Sequence, residues 1–332
     1  MATALPRLTR RRALRAAIAA PVALGLLLWW LLSMGSEPAP GGRVTLATGV
    51  PTGVYARYGE LLKQDLARDM PEVDLRLARS EGSIDNLRRL TSGRAEFTIA
   101  TADAVATYRS RNEPGAARLR ACARLYDDYM QLVVPKGSAV RSAKDLGRLR
   151  VGVGADGSGV QLITRRLLEA AGLDFEKDIT AERVGIDKMP GMLKSGKLDA
   201  FFWSGGLPTT AVQQLAKTYP VRLVQLGDLS DRLHRQGERT RYYRAAVMPA
   251  DAYPQVQDGQ AVKTIAVANL LVTTDREDAA LTRGITETVI RSRDWIGLQV
   301  HAAQRVDLRT AVFTDPLELH TGARRYYLSE KP

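Results

Sequence analysis

The chain has 332 residues, of which 45% are hydrophobic and 25% charged. That is the make-up of a soluble globular protein, long enough for two ordinary domains or one bilobed unit. The net charge is +12, but Arg7, Arg10, Arg11, Arg12 and Arg15 fall in an acid-free N-terminus, and the +7 that remains carries no block of like charges. A nucleic-acid stripe therefore has no support. The lone cysteine, Cys122, excludes an intrachain disulfide, a CxxC redox pair and a multi-cysteine metal site. Its setting, ARLRACARL, reads as a strand with a buried, inert thiol.

Residues 1–15 read as a basic cytoplasmic segment. An uncharged run follows, and PVALGLLLWWLL at its centre makes residues 16–34 a transmembrane signal-anchor or an export signal. TRRRALR resembles a twin-arginine signal, with Ala13 where such signals usually carry Phe. Trp29 and Trp30 near the outer end, and the lack of a small-x-small cleavage site in SMGSEPAPGG, favour an uncleaved anchor; release after twin-arginine or general export is the alternative. Either way the folded part lies outside the cytoplasm. No cysteine stands in this segment to carry a lipid.

After the linker at 35–42, strand and helix patterns alternate. Strands are expected at 44–47, 73–78, 97–100, 119–125, 130–134, 150–153, 179–184, 200–203, 221–225, 245–248 and 264–272. Helices are expected at 54–68, 84–91, 102–109, 160–171, 188–195, 209–217 and 281–295. This argues an α/β fold with largely parallel sheets. A strand, glycine loop and helix at 44–68 returns at 150–171, which suggests two lobes: 43–135 with 246–332, and 136–245, with the crossover at Pro135–Lys136.

Each glycine loop presents backbone N–H groups at a helix start, where an anion is favoured. TGVPTGVYARYGE (48–60) is the first. It lacks the lysine of a phosphate loop, so a singly charged carboxylate suits it better than a triphosphate. GVGADG (152–157), with Asp178 about twenty residues on, fits a dinucleotide fingerprint, but it sits mid-chain and no acid–base pair accompanies it. Ser158 and Gly159 open the following helix; Ser158 serves either as an N-cap or as a ligand group. In DAFFWSGGLPTTAV (199–212) a buried run breaks at Ser204–Gly205 and Pro208 enters the next helix; Trp203 is either a pocket wall or core. In RSEGSIDNLRRL (79–90), Ser83 fits an N-cap, and Asn86 stands one turn in. Thr101 and Asp103 follow a fifth strand end. The histidines, His234, His301 and His320, are scattered, and no catalytic group, metal cluster or cofactor motif is assigned.

Together TGVPTGVYARYGELL (48–62), RSEGSIDNLRRLTSGRAEFTIA (79–100), VGVGADGSGVQLITRRLLEAAGL (151–173), GKLDAFFWSGGLPTTAV (196–212) and PLELHTGARRYY (316–327) resemble the TAXI family, the extracytoplasmic solute-binding proteins of one class of TRAP transporters. Val50–Pro51 departs from that family's more glycine-rich loop. The resemblance implies a type II periplasmic-binding-protein-like fold that closes on a small organic anion, an amino acid or dicarboxylate, and delivers it to a TRAP-type permease, without catalysis. It implies ligand contacts from Thr48, Gly49, Thr52, Gly53 and Tyr55, from Ser83 and Asn86, from Ser158 and Gly159, and from Trp203, Ser204, Gly205 and Pro208, with Tyr126 beside the crossover. His320 reads as structural, docking the C-terminal helix. The alternatives are a membrane-tethered sensor or scaffold without transport, and a Rossmann-type nucleotide-dependent enzyme.

Overall fold

The computed structural model describes residues 40–300 and 306–330. The expected basic segment, membrane or export segment and most of the linker lie outside them. Among the described residues no helix is long and apolar enough to cross a membrane.

Three parallel strands, β1 (Gly42–Ala47), β2 (Val73–Ala78) and β3 (Phe97–Thr101), start the first lobe, with helices α1 (Val54–Asp69), α2 (Ser83–Thr91) and α3 (Ala102–Ser110) after them. The long β4 (Leu119–Pro135) then carries the chain across. The second lobe holds β5 (Arg150–Gly152), α4 (Gly159–Ala171), β6 (Thr180–Glu182), α5 (Met189–Lys194), β7 (Ala200–Gly205), α6 (Thr210–Thr218), β8 (Val221–Val224), α7 (Ser230–His234), β9 (Tyr243–Met248) and α8 (Pro254–Gln257). Strand β10 (Val262–Thr274) returns to the first lobe, where α9 (Ala279–Arg291), α10 (Arg293–Gln299) and α11 (Thr321–Ser329) cover it.

The strand order β2-β1-β3-β10-β4-β7-β5-β6 makes both lobes share β4 and β10. Core residues divide accordingly. Val44, Leu61, Phe97, Ile285 and Tyr326 belong to a cluster on one face of the first lobe, and Leu87, Val105 and Leu270 to one on the other face. Leu132, Val151, Ile163, Phe201 and Tyr243 belong to the cluster of the second lobe. Strands buried on both faces read as continuous apolar runs, which is why the sequence marks them so well.

The structure differs from expectation in several places. The sheet is mixed rather than largely parallel, because the crossing strands run against their neighbours: β10 is antiparallel to β3, β4 and β9, and β4 to β7 and β8. The short helices α7 and α8 stand where the sequence pattern gives none. The runs at 119–125 and 130–134 form one strand: Tyr126–Tyr129 stays extended because β10 pairs alongside, Asp128 with Val267 and Tyr129 with Ala266. The expected helix 281–295 is two helices, broken at Ser292. The strand partners of β4 change within it. Arg124 faces Leu270 in the first lobe, Tyr129 already faces Gly205 in the second, and Pro135 pairs with Val221. We therefore propose that the lobe boundary runs through the middle of both crossing strands rather than at Pro135–Lys136. The register of β10 on β4 slips between Ala268 and Leu270, at Asn269. Such irregularities re-aim side chains, and Asn269 lies beside the cleft, bonded to Tyr55.

Candidate functional site between the lobes

The lobes meet across a small cleft lined from both sides, by Gly49, Tyr55 and Ser83 of the first and Ser158, Trp203 and Ser204 of the second. The space left for the centres of water-sized atoms is about 60 Å³, and one water takes about 10–15 Å³ in that measure. An occupant in this arrangement is thus small.

Each wall is built by local sequence. Helix α1 starts at Val54 with no side-chain cap, since its N-cap is Gly53; its first N–H groups have no intrahelical partner. In the second loop, Ser158 does cap: its Oγ accepts from Gln161 N at 3.1 Å. The turn before it needs Gly154, at φ +90°, where a Cβ would stand 2.7 Å from Ser158 Oγ. Ser83 is not an N-cap. It is the first helical residue, after Gly82 at φ +120°, so its hydroxyl is left for tertiary contacts. Ser83 Oγ accepts from Thr101 N at 3.2 Å and lies 3.2 Å from Tyr55 Oη, and Tyr55 Oη also donates to Asn269 Oδ1.

The lobes touch directly here. Gly157 O accepts from both Ile84 N and Asp85 N, at 3.1 Å each. Two orphan donors of the α2 start are thereby satisfied by a carbonyl of the opposite lobe. Gly159 lies so close to the first lobe that a Cβ would stand 3.0 Å from Ser83 Oγ. This is a closed arrangement.

A second junction lies behind the cleft. Arg166 of α4 donates to Thr107 Oγ1 at 2.6 Å and to Tyr243 Oη at 2.7 Å. Tyr243 Oη donates to Asp103 Oδ2 at 2.6 Å, and Arg166 stands 3.8 Å from the same carboxylate. Asp103, raised by the sequence as a strand-end candidate, is thus the first lobe's half of a buried ion pair.

Of the residues singled out from sequence, Gly49, Gly53, Tyr55, Ser83, Thr101, Ser158, Gly159, Trp203, Ser204 and Gly205 line the cleft. The others lie elsewhere. Thr48 is buried, with its hydroxyl donating to Ala78 O at 3.3 Å. Thr52 and Pro208 border a separate hollow beside Arg57 and Gln299. Asn86 is buried and ties strand ends together, donating to Thr48 O at 3.0 Å and to Ile99 O at 2.8 Å. Tyr126 packs against Tyr58 in the first lobe's core, ring centroids 5.8 Å apart. Trp203 answers both readings: it is a core residue of the second lobe and a wall of the cleft. His320 caps the start of α11, its Nδ1 accepting from Gly322 N at 3.1 Å.

Sequence reading missed Asp128. It is buried on β4, lines the cleft, and its Oδ2 accepts from Ser204 Oγ at 3.4 Å. Burial raises its carboxyl to about 7; Asp127 and Asp103 add to this, while Asn269 and Ser204 act the other way. Trp203 Nε1 is buried without a partner, and Asp128 Oδ1 and Asn269 Nδ2 make no hydrogen bond of ordinary length, although the Asn269 amide is near enough to favour the ionised carboxylate. Buried polar groups are rarely left so; Asp128 and Trp203 line the cleft and Asn269 stands beside it. The charged residues lining it are Asp128 and Glu81. It opens past Val50, Glu81, Ala155 and Gly185 onto a wider basin of mixed charge, with Arg79, Arg89, Arg183 and Lys188 beside Glu81 and Asp187.

The nucleotide reading finds no matching geometry. Asp178 precedes β6, at the end of the parallel sheet opposite the loop, and its carboxylate accepts from Asp174 N at 2.7 Å. Among the described residues no group of acids, histidines or cysteine is arranged to hold a metal.

A crossed pair of strands joining two α/β lobes, with a cleft between helix starts, defines the class of two-lobed periplasmic binding proteins by fold. The solved structures agree. The periplasmic aliphatic sulphonate binding protein SsuA from Escherichia coli is similar at 14% identity, with a TM-score of 0.50 over 88% of this chain and 84% of that one. An ancestral arginine-binding protein, bound to arginine, is similar at 15% identity, with a TM-score of 0.51 over 79% and 99%. A protein of Bordetella bronchiseptica RB50 gives 16% identity and a TM-score of 0.53 over 90% and 92%. These likenesses are of fold. The chain belongs to the NMT1-like family, whose model matches residues 46–331.

Proposed function

We propose that this protein is an extracytoplasmic solute-binding receptor. It captures a small carboxylate, an amino acid or a dicarboxylate-like compound, between its lobes and hands it to a membrane permease. The observation that carries the reading is the cleft itself: uncapped helix N–H groups from the first lobe and a glycine loop from the second close on one small space, with unpartnered polar atoms in its wall. Helix starts favour anions. Contacts made only in the closed form shift the population toward it when ligand is present. The fold neighbours include proteins that bind a sulphonate and an amino acid, which is consistent with this role.

The partner in this reading is a TRAP-type permease, as the resemblance of residues 48–62, 79–100, 151–173 and 196–212 to the TAXI family implies. The apolar segment at 16–34 would hold the receptor near that partner and raise its effective concentration. The test is a thermal-shift screen of the full chain against amino acids, dicarboxylates and keto acids. A true ligand at a hundred times its Kd adds about 2.7 kcal/mol to stability, a shift of a few degrees. If no compound of these classes moves the transition, the receptor reading fails.

A further inference from the structure

The cleft wall is poor in positive charge where a carboxylate receptor would be expected to have it, and it carries a buried acid instead. Resting on the receptor reading, we propose that the ligand bears a protonated amine, and that Asp128 is its seat. The geometry points this way from several sides. Asp128 is 4% exposed; its Oδ1 makes no hydrogen bond of ordinary length, the only donors near the carboxylate are the neutral Asn269 amide and Ser204, and the Ser204 contact to Oδ2 is long, at 3.4 Å. Among the described residues no arginine, lysine or histidine pairs with it. The other buried acid at the lobe boundary, Asp103, has Arg166 from the opposite lobe. A buried carboxylate without a cation is costly unless something positive arrives. Trp203, which also lines the cleft, offers an aromatic ring on which an ammonium is favoured. The small volume limits the rest of the ligand to a few atoms.

The opposite end of such a ligand is acidic. The free N–H groups at the start of α1 receive its carboxylate. A compact zwitterion, an amino acid of a few carbons, satisfies both ends. A dicarboxylate would place a second negative charge beside Asp128 and Glu81, where like charges repel.

The charge state of Asp128 makes the proposal testable by the sign of a pH dependence. The groups around it are Asp127 on its own strand, itself held by Arg124 and Arg244, Asp103 on α3, Tyr55 on α1, the uncharged Tyr126, Ser204 and Asn269, and Glu81 at the rim. With the carboxyl raised to about 7, an ammonium ligand favours the ionised form, so its affinity rises as pH goes from 6 to 8. A ligand whose carboxylate accepts a proton-mediated bond from neutral Asp128 shows the reverse.

The experiment is calorimetric titration of the full chain with matched probes: alanine against propionate, glutamate against glutarate, and 4-aminobutyrate against butyrate. At least one amine-bearing member is expected to bind about ten-fold or more tighter than its counterpart, the worth of a hydrogen-bonded charge, and to tighten from pH 6 to pH 8. Asp128→Asn is expected to abolish both the preference and the pH slope. Retention of either in Asp128→Asn, or tighter binding of the amine-free acids with affinity falling as pH rises, overturns the amine seat and leaves the receptor reading standing. Binding of none of these probes, together with a silent thermal-shift screen, overturns both.

Discussion

Two buried aspartates stand where the lobes of this protein meet, and they are treated in opposite ways. Asp103 sits behind the cleft with Arg166 and Tyr243 of the other lobe against it. Asp128 sits in the cleft with a serine hydroxyl, an asparagine amide nearby, and no cation. The fold compensates the first charge and leaves the second raised and half-bonded. Buried polar groups left unpaired weaken a fold, so the difference separates a junction that holds the lobes from one that the proposed receptor role assigns to ligand.

The largest effect should come from breaking the paired junction. Arg166→Ala leaves Asp103 buried without its cation and should cost about 3–5 kcal/mol, measured by urea unfolding. The next test acts on closure. Gly159→Val would drive side-chain atoms into Ser83, since even a Cβ stands 3.0 Å from its Oγ. The protein should stay folded, because both lobes keep their cores, yet lose most of its ligand affinity, and small-angle scattering should show a more open particle.

The unpaired junction should respond with the opposite sign. The Asp128 carboxyl is raised in the fold to about 7. Its contribution to stability is therefore full below the unfolded value near 4 and is lost as pH rises through about 7. Asp128→Asn should thus stabilise the ligand-free protein by roughly 1–3 kcal/mol at pH 8 and change little at pH 4, read from paired denaturation curves. The smallest effect is expected at the cap: Ser158→Ala removes the bond to Gln161 N and should cost about 1 kcal/mol in melting experiments.

The same contrast explains what could be read in advance. Strand and helix positions were legible because apolar runs and glycine loops are local signals, and helix starts at Val54, Gly159 and Thr210 fall where the sequence places them within a residue. The cleft glycines, Tyr55 and Ser83 were legible for the same reason. Asp128 and Asn269 were not. Each is a polar residue inside a strand, and Tyr126–Tyr129 looks like a break between two short strands when read alone. Only the pairing of β4 with β10 makes it one strand and turns Asp128 into the cleft. A signal was present, an acid and an amide within otherwise apolar crossing strands; local rules tend to fail where function sits. Asn86 shows the converse. One turn into a helix that begins at the cleft, it turns inward to join strand ends instead.

The central claim is that the lobes grip a small acid and return it unaltered. Proton NMR of the full chain with the compound giving the largest thermal shift tests this most directly. The account predicts saturable line broadening at one site per chain and the same compound recovered intact after a day. A new set of resonances growing in proportion to protein would contradict it.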